Sequence, residues 1–215
     1  MHTIGRGELV DMLRGAARAI EEGRDRLSQL DSFGGDGDHG TTMARAMRTM
    51  EGAIQTAVGE ASDIQRLLHD VGWAILGVDG GAAGPLFGAF FTGMAESAAG
   101  RTTLDAPELA AAFEAGLAGI RKYTKAQVGD KTMLDALVPA VEALRRAVDE
   151  GSDIESALRQ AAEAARQGAE ATCGQQARYG RAKNLGEKSI GTPDPGAASV
   201  ALMFQGFLQG GCLHA

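Results

Sequence analysis

Cysteine is nearly absent from this chain. Cys173 and Cys212 are the two in 215 residues, too few for a disulfide framework, so the sequence does not read as a small oxidised secreted scaffold. Excess positive charge is lacking as well. A net charge of −7 argues against a main activity on nucleic acid or an anionic membrane surface, both of which demand a basic face. Long apolar runs are missing too: the longest, Ala82 to Ala95, is interrupted by Gly84, Pro85, Gly88 and Gly93 and is too short to span a bilayer. The N-terminal Met-His-Thr-Ile-Gly-Arg-Gly-Glu carries no apolar signal region, and a reducing cytoplasm is the expected setting. No Pro/Ser/Gly-rich linker or charge block divides the chain, so residues 1–215 are expected to form one domain.

What is present is concentrated in Asp31-Ser32-Phe33-Gly34-Gly35-Asp36-Gly37-Asp38-His39-Gly40, where three carboxylates and four glycines share ten residues. Carboxylates held about 4 Å apart repel by roughly 4 kcal/mol at an effective dielectric near 20. A loop that converges them therefore calls for a cation, and hard oxygen ligands select Mg²⁺ or Ca²⁺. Glycines let backbone N–H groups approach an anion closely, and the combination points to a metal-chelated nucleotide. A plain Asp/Gly turn is the simpler alternative. An EF-hand fits poorly, because counting from Asp36 the glycine is misplaced and the bidentate Glu position is occupied by Met47. A phosphorylated Asp-x-Asp nucleophile would need a preceding buried strand, whereas Arg24 to Leu30 has helical character.

Helical spacing dominates the remainder. Leu9, Met12, Leu13, Ala16, Ile20, Leu27 and Leu30 predict a helix over 8–30, and Met43, Met47, Met50, Ile54 and Val58 a second from Thr41 or Thr42. The N-terminus of that second helix points into the Asp/Gly loop. A third is expected from Ser62-Asp63, through Leu67, Leu68, Val71, Trp73, Ala74 and Leu76, to the Gly77–Gly81 cluster. Ala82-Ala83-Gly84-Pro85 opens a fourth, and Asp105-Ala106-Pro107-Glu108 carries the signals of a capped fifth. A sixth follows Gly129-Asp130-Lys131-Thr132, with Asp130 as the expected cap. Ser152 with Glu155 suggests a capping box for a seventh running to about Arg178. No alternating strand stands out, so the chain reads as nearly all-α with about eight helices.

Between Ala177 and Gly196 the character changes. Arg178, Arg181, Lys183 and Lys188 fall within eleven residues, broken by glycines and prolines. A cationic loop of this kind suits phosphate oxygens. It ends at Asp194-Pro195-Gly196, where Asp194 caps and Pro195 begins a last helix.

In order along the chain, Gly35-Asp36-Gly37-Asp38-His39-Gly40, Gly80 to Gly88, Gly129-Asp130-Lys131-Thr132-Met133, and Gly180 to Gly191 with Asp194-Pro195-Gly196 resemble the nucleotide-binding L subunit of dihydroxyacetone kinase. The resemblance implies an antiparallel barrel of eight helices with the nucleotide at one rim. It implies Asp31, Asp36 and Asp38 as ligands of two Mg²⁺ ions. His39, Gly40, Thr41 and Thr42 become the phosphate-contacting helix start, Ala82 and Ala83 a second phosphate contact, and Met133 a contact to the nucleoside. Arg181 and the Asp194-Pro195-Gly196 turn complete the set. Thr42 stands where the family carries Asn, Ala83 where it carries Ser, and Thr124 where it carries Gly.

The implied activity is transfer of the γ-phosphoryl group of bound ATP to dihydroxyacetone held on a separate K subunit, leaving ADP in place, with no general base on this chain. A phosphotransferase-system M subunit is the implied rephosphorylating partner, and a homodimer is left open. Two alternatives accompany this: an ATP-exchanging subunit acting on a related ketose such as erythrulose, and a nucleotide-dependent regulatory partner of a transcription regulator.

Overall fold

The computed structural model describes residues 3–56 and 63–211. Eight α-helices account for most of them: α1 Arg6–Asp31, α2 His39–Thr56, α3 Ile64–Leu76, α4 Ala83–Ser97, α5 Ala106–Arg121, α6 Leu134–Asp149, α7 Ile154–Ala171 and α8 Pro195–Gly211. Each packs on its neighbours in sequence, and α8 closes the ring against α1. Short connections make consecutive helices antiparallel neighbours. The ring encloses a core in which Phe113 contacts Phe90, Phe204 and Phe207 with ring centroids 5.4 to 5.8 Å apart, edge-to-face or tilted as aromatic quadrupoles prefer.

The helix starts follow from local chemistry. The Asp105 carboxylate accepts the Glu108 N–H at 2.9 Å while Glu108 accepts the Asp105 N–H at 3.0 Å, the reciprocal box expected for α5. The Asp194 carboxylate accepts the Ala197 N–H at 2.7 Å, and Pro195 is the first residue of α8.

Several expectations need correction. Two short strands, β1 Thr3–Gly5 and β2 Thr103–Asp105, pair antiparallel with Ile4 opposite Leu104; three residues each are too few to show an alternating pattern. The second helix starts at His39, ahead of Thr41, and Val58 and Ser62 lie outside the described residues. Asp153 caps α7 by accepting the Ser156 N–H at 2.9 Å, so Ser152 with Glu155 is not the box. That helix ends at Ala171, short of Arg178, because a 3-10 turn over Thr172–Gly174 leads the chain away. Asp130 does not cap α6 either: its carboxylate accepts the Gln127 N–H at 2.8 Å. Trp73 leaves the apolar stripe, at 61% exposure, and donates its indole N–H to His69 Nε2 at 2.8 Å.

Candidate metal and phosphate site

At one rim of the ring, a cavity of about 390 Å³ opens between the α1–α2 turn, the start of α4, the segment before α6 and the loop before α8. The turn sets its charge. Asp31 ends α1, and its backbone carbonyl accepts the Gly35 N–H at 2.6 Å. A Cβ on Gly35 would stand 2.2 Å from Asp31 Oδ1, so only glycine lets the chain fold over that carboxylate. Asp31 Oδ2 in turn accepts the His39 N–H, at 3.3 Å, at the first turn of α2. One oxygen from each of Asp31, Asp36 and Asp38 falls within 4.8 Å of the others.

These carboxylates perturb one another. Asp38 is raised by desolvation and by the charge of Asp36. Asp36 is lowered, chiefly because the Arg181 guanidinium bonds to it. Arg181 therefore reaches across the cavity mouth from the far loop. Both members of that pair are substantially exposed, so it adds little to stability.

His39 is largely buried, and desolvation lowers its pKa. Its Nε2 lies 2.8 Å from Ser199 Oγ, whose own hydroxyl donates to the Pro195 carbonyl at 3.0 Å. The His39–Ser199 hydrogen bond ties α2 to α8. Thr42, one turn into α2, is 1% exposed, and its Oγ1 has no hydrogen-bond partner among the described residues. Gly80 backs onto this hydroxyl: at φ +131° a Cβ there would come within 2.4 Å of Oγ1. A buried unpaired hydroxyl costs on the order of 1–3 kcal/mol, and native proteins seldom leave one without a use.

The cavity brings together Asp31, Asp36, Asp38, His39, Ala82, Ala83, Met133, Arg181, Asp194, Pro195 and Gly196. Gly40, Thr41 and Thr42 do not line it: Gly40 is buried, Thr41 faces solvent and Thr42 lies behind Gly80. Thr124 lines it, with its Oγ1 accepting the Ala126 N–H at 3.1 Å. Of the cationic loop, only Arg181 enters the lining; Arg178 lies 3.7 Å from Asp130, and Lys183 and Lys188 face solvent. Sequence reading missed Phe33, Tyr123 and Tyr179, which stand exposed around the mouth. It also passed over Lys131, although Gly-Asp-Lys-Thr marks it. An exposed aromatic has no period to betray it; a lysine beside Gly-Asp is hidden by its resemblance to a turn.

Three aspartates, a helix N-terminus and an arginine around one cavity suit a metal-bound phosphate. Residues 34–209 match the family model described as the DAK2 domain. The chain belongs to the DAK2 domain family. Within it, this chain is 37% identical over 203 residues to the ADP-binding subunit DhaL of the PEP-dependent dihydroxyacetone kinase of Escherichia coli strain K12, covering 94% of this chain and 96% of that one. It is 35% identical to the D-erythrulose kinase of Mycolicibacterium smegmatis over 86% of this chain and 32% of the relative. The DAK2 fold is recognisable in the dihydroxyacetone kinase of C. freundii in complex with AMP-PNP and Mg²⁺, at TM-score 0.71 and 29% identity, over 92% of this chain. This chain spans 33% of the length of that kinase.

Proposed function

We propose that this chain is the nucleotide-holding phosphotransferase subunit of a dihydroxyacetone-type kinase. It would keep Mg-ADP/ATP in the rim cavity and pass the γ-phosphoryl group to a short ketose on a separate K subunit. The observation that carries this is the convergence of Asp31, Asp36 and Asp38, within 4.8 Å of one another, beside the N-terminus of α2 and opposite Arg181. The donor set fits: three carboxylates are hard ligands for two Mg²⁺ ions.

Bound Mg²⁺ supplies neutralisation of phosphate charge and alignment for in-line transfer. The chain's own residues do the rest. His39 and Asp31 hold the first turn of α2 against the metal loop, directing its free N–H groups toward an anion. Arg181 brings cationic charge to the same point, where it stabilises the transferring group. Ala82 and Ala83 start α4 on the facing side of the cavity and Met133 begins the segment into α6, the positions proposed for phosphate and nucleoside contact. Asp194, Pro195 and Gly196 complete the lining. None of these groups acts as a general base, because acceptor activation belongs to the subunit that holds the sugar.

The mouth is rimmed by Phe33, Tyr123 and Tyr179, at 60%, 69% and 38% exposure. Aromatics of this kind favour protein contact, which supports a docking face for the K subunit at this mouth. Among the described residues no helix is long and apolar enough to cross a membrane. A cytoplasmic setting, with a phosphotransferase-system M subunit recharging the nucleotide, completes the reading.

The test is to purify the protein without added nucleotide, denature it and chromatograph the released small molecules, beside an Asp36→Asn variant. Stoichiometric ADP or ATP in the wild type, lost in the variant, is expected. If the wild type releases none and also fails to bind added Mg-ATP, the reading is wrong.

A further inference from the structure

Lys131 stands apart from every other residue of the site. It is the non-glycine residue with positive φ, at 60°, among those described, and it is 5% exposed. The sequence explains the turn locally. The buried Asp135 carboxylate accepts the Gly129 N–H at 2.6 Å and the Thr132 N–H at 2.8 Å, folding residues 129–132 back over the first turn of α6. A side chain at the apex of that turn points inward. Lys131 Nζ donates to the Thr172 carbonyl at 2.6 Å and to the Thr192 carbonyl. Desolvation lowers its pKa, opposed by the nearby carboxylate of Asp194.

Thr172 and Thr192 flank the cationic loop, one just before it and one just after. The two ends are further joined where the Asp194 N–H donates to Thr172 Oγ1 at 2.8 Å and the Gly191 N–H to the Cys173 carbonyl at 2.8 Å. Between them run Tyr179, Arg181 and the 3-10 turns of Arg181–Ser189, kinked at Gly186. One buried ammonium therefore pins both ends of the segment that carries Arg181 to the loop that carries Met133. Hydrogen bonds from a charged donor are about twice as strong as neutral ones, and buried backbone carbonyls left without a donor are costly.

We propose that Lys131 is a positioning residue, a clamp that closes the base of the 173–191 loop and thereby sets Arg181 over the aspartate cluster. Its effect on the nucleotide rests on the reading in the preceding section; the clamp itself does not.

The experiment uses Lys131→Gly, which suits the left-handed backbone while removing the ammonium, and Lys131→Met, which keeps the aliphatic stem, in the full-length protein. Hydrogen exchange is measured on the nucleotide-free chain. The amides of Gly191 and Asp194 are expected to exchange on the order of 10- to 100-fold faster in both variants, as for loss of one to two charge-assisted bonds, with α1 and α5 unchanged. Mg-ADP dissociation constants then follow for Lys131→Met, Arg181→Ala and the double variant. If the clamp acts through Arg181, the double variant loses less than the product of the single losses. Unchanged exchange at Gly191 and Asp194, acceleration spread evenly over the helices, or multiplicative losses would overturn the proposal. A wild type that binds no Mg-ADP would sink the nucleotide reading instead, with the exchange data still deciding the clamp.

Discussion

The ring of helices and its rim are built on opposite principles. In the ring, Phe90, Phe113, Phe204 and Phe207 meet through area and shape. At the rim, the same chain holds three mutually repelling carboxylates, an unpaired buried threonine hydroxyl, a buried lysine at positive φ and a carboxyl pushed up to about 7. Each of these costs free energy in the free protein, and the apolar ring supplies the stability that offsets it. Changes in the ring should therefore alter stability and leave affinity per folded molecule alone; changes at the rim should do the reverse.

The largest effects test that division directly. Phe113→Ala removes the ring's central aromatic and is expected to cost about 3–5 kcal/mol, read as a lower urea midpoint at unchanged slope. Mg-ADP affinity of the folded fraction should stay within about twofold. Asp36→Asn is the mirror image. The side chain is exposed and its pair with Arg181 is worth little, so stability should stay close to that of the wild type. Loss of groups that merely orient metal ligands costs about 10–100-fold in metal affinity, and removing a proposed ligand should reach at least the upper end. Calorimetric titration with Mg-ADP measures this. A stability loss in Asp36→Asn rivalling that of Phe113→Ala would erase the distinction.

Thr42→Val sharpens the comparison within a single side chain. Valine has the same shape but no hydroxyl, so the unpaired Oγ1 disappears from the free protein. Stability should hold or rise, by up to about 1 kcal/mol. If the hydroxyl serves the phosphate chain, Mg-ADP affinity should fall by about 5- to 10-fold, one hydrogen bond's worth. Opposite signs in melting temperature and affinity are the signature. A loss in both would mean that Thr42 is simply part of the core.

The two regions also differ in how legible they were. The helices could be read from period together with Pro and capping signals, because apolar residues recurring every three or four positions mark a buried face and a cap marks where it begins. Helix ends were less readable: Ser152 and Asp153 both qualify as caps, and only the backbone shows that Asp153 accepts the Ser156 N–H. At the rim, Asp31, Asp36 and Asp38 were visible since acidic residues separated by glycines are rarely core. Lys131 was not, because its role depends on Thr172 and Thr192, 41 and 61 residues away. The strands β1 and β2 were invisible for the same reason. Three residues carry no period, and their register of Thr3 opposite Asp105 is set by the ring that brings them together.

The smallest expected effect concerns Asp194, where rim chemistry feeds back on stability. Burial raises its pKa to about 7, with Asp135 adding to the rise and Lys131 and the Ala197 and Gly196 N–H groups opposing it. In the unfolded chain an aspartate titrates near 4. Between about pH 4 and pH 7 the folded protein therefore holds a proton that the unfolded chain has released, and stability falls as pH rises through that window, then levels off. Asp194→Asn imitates the protonated acid at every pH and keeps an acceptor for the Ala197 N–H. Its stability relative to the wild type should therefore improve from pH 5 to pH 8, read as a widening gap between urea midpoints. Parallel curves would mean that the Lys131 ammonium already neutralises the carboxylate, and that this part of the cavity lining is an ion pair instead of a protonated acid.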